Sequence, residues 1–139
     1  MLTGEYRHSI DAKGRIIMPA KFREELGAKF ILTKGLDNCL FVYSLGEWEL
    51  LEAKIRELPL SKARNMQRFF FASAADVEPD KQGRVVVPPA LREYAALNKD
   101  VVIAGNATRA EIWDKDAYDK LMSELTSDMI VETMEQIGF

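Results

Sequence analysis

The feature that most limits what this chain can fold into is an internal repeat. Laid against itself with an offset of 69 residues, the sequence aligns Asp11–Glu24 with Asp80–Glu93. Six positions are identical: Asp11/Asp80, Gly14/Gly83, Arg15/Arg84, Pro19/Pro88, Arg23/Arg92 and Glu24/Glu93. The apolar pattern repeats with them, Ile16-Ile17-Met18 matching Val85-Val86-Val87 and Phe22 matching Leu91. After a one-residue slip, Gly35 aligns with Gly105, Val42 with Ile112, Tyr43 with Trp113 and Trp48 with Tyr118. Two copies at so long a period do not make a solenoid; they predict a pseudo-symmetric pair of units sharing a core. At 139 residues and 47% hydrophobic content, the chain can fill one compact core or two small ones packed together.

Each copy has the same order of elements. In the first, strands are expected at Tyr6–Ile10 and Arg15–Met18 on either side of a turn. Pro19 then opens a short helix over Ala20–Leu26, with Gly27 as its stop. Strands at Phe30–Thr33 and Leu40–Tyr43 follow, separated by the turn-forming Lys34–Asn38. The second copy offers Ala74–Glu78, Arg84–Val87, the helix Ala90–Ala96, Val101–Ala104 and Ala110–Trp113. Between the copies, Leu45–Leu58 places Trp48, Leu51, Ile55 and Leu58 at helical spacing, and Ser61–Phe71 has Ser61 as its N-cap candidate. The tail from Asp116 to Ile137 is amphipathic, through Tyr118, Leu121, Met122, Leu125, Met129 and Ile130, and suits packing either on the second unit or on a neighbouring chain. The fold class is therefore α+β with a mainly β core, divided into a first unit at 5–47, connecting helices at 48–75, a second unit at 76–119 and a helical tail at 120–139.

The repeated turn, Asp11-Ala12-Lys13-Gly14-Arg15 and Asp80-Lys81-Gln82-Gly83-Arg84, carries the chemistry. Asp at its first position accepts backbone N–H bonds and Gly at its fourth enters the left-handed region, a composition that closes a hairpin. Turn geometry thus explains Asp11, Gly14, Asp80 and Gly83. It gives no reason for Arg15 and Arg84, whose recurrence points to a used side chain: a reader of guanine O6 and N7 from a ribbon in the major groove, or a latch onto Asp11 and Asp80. Lys13, Lys81 and Gln82 stand at the tips, and Arg7 lies on the strand leading to the first one, so these are candidate DNA contacts as well. Arg23 and Arg92, with Glu24 and Glu93 beside them, are expected to form ion pairs.

The formal charge of −3 does not suggest a nucleic-acid partner, but its distribution does. Glu5–Arg23 holds five basic residues against two acids, whereas Glu111–Phe139 holds eight acids against two lysines. The single cysteine, Cys39, excludes an intramolecular disulfide and is expected as a buried small hydrophobe, and one histidine, His8, gives no basis for a metal site or a nucleophile–base pair. No metal, no cofactor and no enzymatic activity are expected. No apolar run reaches the roughly 20 residues of a membrane span.

On Gly4-Glu5-Tyr6, Asp11–Arg15 followed by Pro19–Arg23, Asp80–Arg84 and Glu111-Ile112-Trp113, the sequence resembles the MraZ family of bacterial transcription regulators over nearly its whole length. The resemblance implies two tandem AbrB-like, DNA-binding units that form a swapped-hairpin double-unit barrel with flanking helices. It further implies a homo-oligomeric ring that binds double-stranded DNA at short G-rich direct repeats upstream of its own gene, which heads a division and cell-wall cluster, and represses it from a cytoplasmic, nucleoid-associated location. The family's D-x-x-x-R signature falls on Asp11 with Arg15 and on Asp80 with Arg84. The alternative is a ring-forming structural or antitoxin-like interaction module that reads no DNA.

Overall fold

A computed structural model describes all 139 residues. In chain order they form β1 (Glu5–Ser9), β2 (Arg15–Ile17), α1 (Ala20–Leu26), β3 (Phe30–Lys34), β4 (Leu40–Ser44), α2 (Leu45–Arg56) and α3 (Leu60–Met66), which runs on into a π-helical turn (Gln67–Phe71). There follow β5 (Ala75–Val77), β6 (Arg84–Val86), α4 (Pro89–Tyr94), β7 (Asp100–Asn106), β8 (Arg109–Asp114), α5 (Lys115–Glu124) and α6 (Ser127–Gln136). The chain is α+β, as expected, with every strand pair antiparallel.

The two halves exchange strands. Six strands form one sheet in the order β1-β7-β8-β4-β3-β5, so β1 of the first half pairs with β7 of the second, and β5 of the second pairs with β3 of the first. Strands β2 and β6 make a separate two-stranded ribbon, again one from each half. The large sheet is open, with β1 and β5 as its edges, and hydrogen bonding does not close it into a barrel. The expected hairpin between β1 and β2 is likewise absent: the Asp11 turn passes the chain from the large sheet to the ribbon.

Both faces of the sheet are covered, which is why its central strands are apolar at consecutive positions rather than at alternate ones. Phe30, Leu32, Leu40, Val42, Val101, Ile103, Ala110 and Ile112 point one way, into a core of 20 buried residues completed by Ile16, Met18, Val85 and Val87 around the ribbon and by Phe22, Leu26 and Leu91 from α1 and α4. Ile31, Phe41, Tyr43, Val102 and Trp113 point the other way and are covered by Phe70, by Tyr118 of α5 and by the half-buried Trp48 and Leu51 of α2. Cys39 is fully buried there, and burial pushes its thiol up to about 12, as expected of a structural cysteine.

Several boundaries shift for local reasons. Pro19, Pro59 and Pro88 occupy the N-cap positions of α1, α3 and α4, so Ser61 is not a cap; Ser44 instead caps α2 by accepting the Glu47 N–H. Leu58 lies past the end of α2 and is exposed. The tail is two helices: α5 packs through Tyr118 and Leu121 on the second core, whereas α6 has no buried residue.

Because every inter-half ladder takes a strand from each copy, neither copy can complete its own core. A fragment ending at residue 70 is expected to show no cooperative thermal unfolding as a monomer, measured by circular dichroism alongside its sedimentation mass. A folded monomeric fragment contradicts the exchange.

Candidate nucleic-acid interface

The ribbon takes one strand from each copy of the repeat. Its register opposes Arg15 to Val86, Ile16 to Val85 and Ile17 to Arg84. Side chains alternate along a strand and directly opposed residues share a face. Ile16 and Val85, each 1% exposed, therefore point into the core, while Arg15, Ile17, Arg84 and Val86 share the outer face. The two arginines lie on a diagonal, with their Cα atoms about 8 Å apart by strand geometry. The two turns, each expected to close a hairpin of its own, become the two ends of one surface through the pairing of β2 with β6.

At each end the Asp organises the turn in the same way. Asp11 Oδ1 accepts the Lys13 and Arg15 N–H groups, both at 2.9 Å, and Asp11 Oδ2 accepts the Arg15 Nε–H at 2.7 Å. Asp80 repeats this with the Gln82 and Arg84 N–H groups at 2.9 Å and Arg84 Nε at 2.7 Å. Gly14 and Gly83 close the turns at φ 77° and 80°, their N–H groups donating to the Asp11 and Asp80 carbonyls. Hydrogen bonds from the backbone of Arg15 and of Arg84, then from their side chains, hold the two carboxyls below the usual range. The latch is thus real, and it engages only Nε. The Nη1 and Nη2 edge of each guanidinium has no partner in the chain, so the Asp fixes the direction of the Arg without occupying the edge that forks onto a base.

Arg23 and Arg92 are not ion-paired with Glu24 and Glu93. Met18 donates its N–H to Gly83 and Val87 donates to Gly14, which brings each helix against the turn of the other half. The Arg23 Nε–H donates to the Met18 carbonyl at 3.0 Å, and its guanidinium lies where a side chain on Gly83 would sit, 2.9 Å from an ideal Cβ. Arg92 lies against Gly14 in the same way, at 3.1 Å. Glycine is therefore required twice over, by its positive φ and by an arginine from the opposite copy. The signal was in the sequence, since Arg23 and Arg92 are identical in the repeat, but the contact depends on the exchange.

The remaining candidates divide. Lys13, Lys81 and Gln82 are exposed at the turn tips. Equivalent backbone bonds to Asp11 and Asp80 make Gln82, rather than Lys81, the counterpart of Lys13. Arg7 is tied to Asp119 at 2.9 Å and to Glu5 at 3.4 Å, joining β1 to α5.

Comparison with known proteins agrees with the repeat. The family model for the MraZ protein, whose description adds the term antitoxin-like, matches twice, at residues 1–68 and 70–136, two copies that begin 69 residues apart. The chain is similar to the transcriptional regulator MraZ of Acetivibrio thermocellus and to that of Caldicellulosiruptor bescii, each 57% identical over 142 aligned positions covering 99% of both chains. It is 59% identical to the transcriptional regulator MraZ of Caldanaerobacter subterraneus subsp. tengcongensis over 122 positions, 86% of this chain and 85% of the relative.

Gly83→Ala is expected to cost about 1–2 kcal/mol from the left-handed backbone alone, read as a lower urea midpoint; an unchanged midpoint contradicts this account of the turn. Depressed carboxyl pKa values stabilise the fold above the ordinary Asp value, and that contribution is lost as pH falls through the folded value. The amide shifts of Lys13, Arg15, Gln82 and Arg84 should thus hold through pH ~3.9, the unperturbed Asp value, and move only below it.

Proposed function

The chain belongs to the MraZ family, and we propose that it is a DNA-binding transcriptional regulator whose reading surface is the outer face of the β2–β6 ribbon. The observation that carries this is the pair of Asp-held arginines, Arg15 and Arg84, set on one face by the register. A two-stranded ribbon fits the major groove, and the free Nη edges suit the O6 and N7 of guanine. Lys13, Lys81 and Gln82 then reach toward the phosphates, with Arg23 and Arg92 behind them. Arg7, already paired with two carboxylates, contributes least.

One chain is then one reading unit, with both tips on one repeat. A homo-oligomeric ring of swapped-hairpin units presents successive ribbons in one orientation, which suits short G-rich direct repeats upstream of its own gene and of a division and cell-wall cluster. Repression by occupancy of that DNA, at the nucleoid, is the consequent role; no catalysis and no cofactor enter it. The second reading, an antitoxin-like interaction module, is favoured by α6, which buries no residue and leaves Met129, Ile130, Val131 and Met134 exposed.

Footprinting and band shifts on the DNA upstream of the gene separate the two. Arg15→Ala and Arg84→Ala should each cost about 1–3 kcal/mol of discrimination, the worth of a bidentate base contact, with the fold intact. Asp11→Asn with Asp80→Asn should also weaken specific binding, although it removes two negative charges. Tighter specific binding by that variant, or full binding by the arginine variants, overturns the proposal in favour of the interaction module.

A further inference from the structure

Resting on that reading, the ribbon carries a second kind of side chain that the DNA signature does not explain. Ile17 and Val86 share its outer face with Arg15 and Arg84 and are 44% and 55% exposed. No turn, cap or core contact requires a branched apolar residue at either place; the residues that hold the ribbon down are their neighbours Ile16 and Val85, both 1% exposed. The four outer side chains form a two-by-two pattern, arginines on one diagonal and apolar groups on the other, with strands about 5 Å apart and Arg15 about 6.6 Å from Ile17 along β2.

We propose that Ile17 and Val86 form an apolar subsite for the C5-methyl groups of thymines about two base-pair steps from the guanines held by Arg15 and Arg84. Three points select this occupant. The methyl of thymine is the one apolar group that a base pair of ordinary DNA offers in the major groove, whereas phosphates give Ile and Val nothing to contact. The spacing fits, because about 6.6 Å along a strand is close to two steps of about 3.4 Å along the DNA. Lys13 and Arg92 at one end and Lys81 and Arg23 at the other surround the patch with cations, which favours a polyanion over it; a second copy of the chain, equally basic here, would be repelled. The arginines then select guanine, and the apolar pair discriminates between thymine and cytosine about two steps away, where hydrogen bonds are not used.

Substituting deoxyuridine for thymidine removes only the methyl and leaves every hydrogen-bonding group in place. On a synthetic duplex of the footprinted region, each contacted thymidine changed to deoxyuridine should weaken the wild-type protein about fourfold, the effect of uncovering one methyl-sized group. The Ile17→Ala/Val86→Ala protein, altered only at exposed positions, should bind the thymidine and deoxyuridine duplexes equally while still depending on Arg15 and Arg84. Ile17→Val should restore the discrimination in part. Wild-type indifference to deoxyuridine at every position overturns the subsite and leaves the arginine reading standing. Equal loss on both duplexes by the double alanine variant makes the two residues structural, and a change in its sedimentation mass with discrimination intact makes them a contact between copies; either overturns the subsite. Binding that survives Arg15→Ala and Arg84→Ala is instead the failure of the DNA-reading proposal itself.

Discussion

Three residues from each copy of the repeat, Arg15–Ile17 and Arg84–Val86, pair as an antiparallel ribbon, and the other features of the molecule hang on that pairing. It seats Ile16 and Val85 side by side at the centre of the larger core. It brings Met18 next to Gly83 and Val87 next to Gly14, and so carries Arg23 and Arg92 across to the turns they support. It also puts four side chains from distant parts of the chain on one outward face. A ribbon this short is not stable in isolation. It persists because its inner face is sealed by α1, α4 and the large sheet, whose own edges are exchanged between the halves.

The aspartates show how one residue meets two demands. A carboxylate with two oxygens can organise the turn through one, which takes two backbone N–H groups, and aim the arginine through the other. A free arginine would lose rotamer entropy on meeting a base, and a side chain already held by Nε loses less. Its charge is then partly neutralised, so the contact gains direction more than long-range attraction. That trade suits recognition of a base edge better than attachment to a backbone.

Much of this was legible in the sequence because a duplication writes the same constraint twice. Asp11, Gly14, Arg15 and their partners stood out by identity, the helix Ala20–Leu26 by its flanking Pro19 and Gly27, and the buried Cys39 by its apolar surroundings. What stayed hidden depends on which strand meets which. Period-two patterning fixes the face of a side chain but not the partner of its strand, so the exchange of β1 and β5 left no local mark, and neither did the seating of Arg23 on Gly83. The exposure of Ile17 and Val86 was masked by the run Ile16-Ile17-Met18, which reads as wholly buried until the register assigns its alternate positions. The tail misled in the opposite sense: its apolar spacing continues through Leu125 and Thr126, where the backbone leaves the helix.

The charge distribution ties these points together. A chain of net charge −3 is repelled by DNA at long range, yet eight of its acids are gathered in the stretch from Glu111 onward. Asp119 takes up Arg7 and Lys115 in α5, and the acids of α6 lie on a helix that touches neither core. Near the ribbon the carboxylates of Asp11 and Asp80 are each committed to an arginine, whereas Lys13, Lys81, Arg23 and Arg92 have no ion-pair partner. On the proposed reading, attraction is confined to one face and is weak for a single chain, and several faces acting at once would raise the affinity. A modest local charge under a global negative charge also disfavours indiscriminate binding along the duplex, because nonspecific attachment scales with the number of phosphates neutralised. For the DNA-reading role proposed above, the acidic balance therefore favours oriented base contacts over indiscriminate attachment to phosphates.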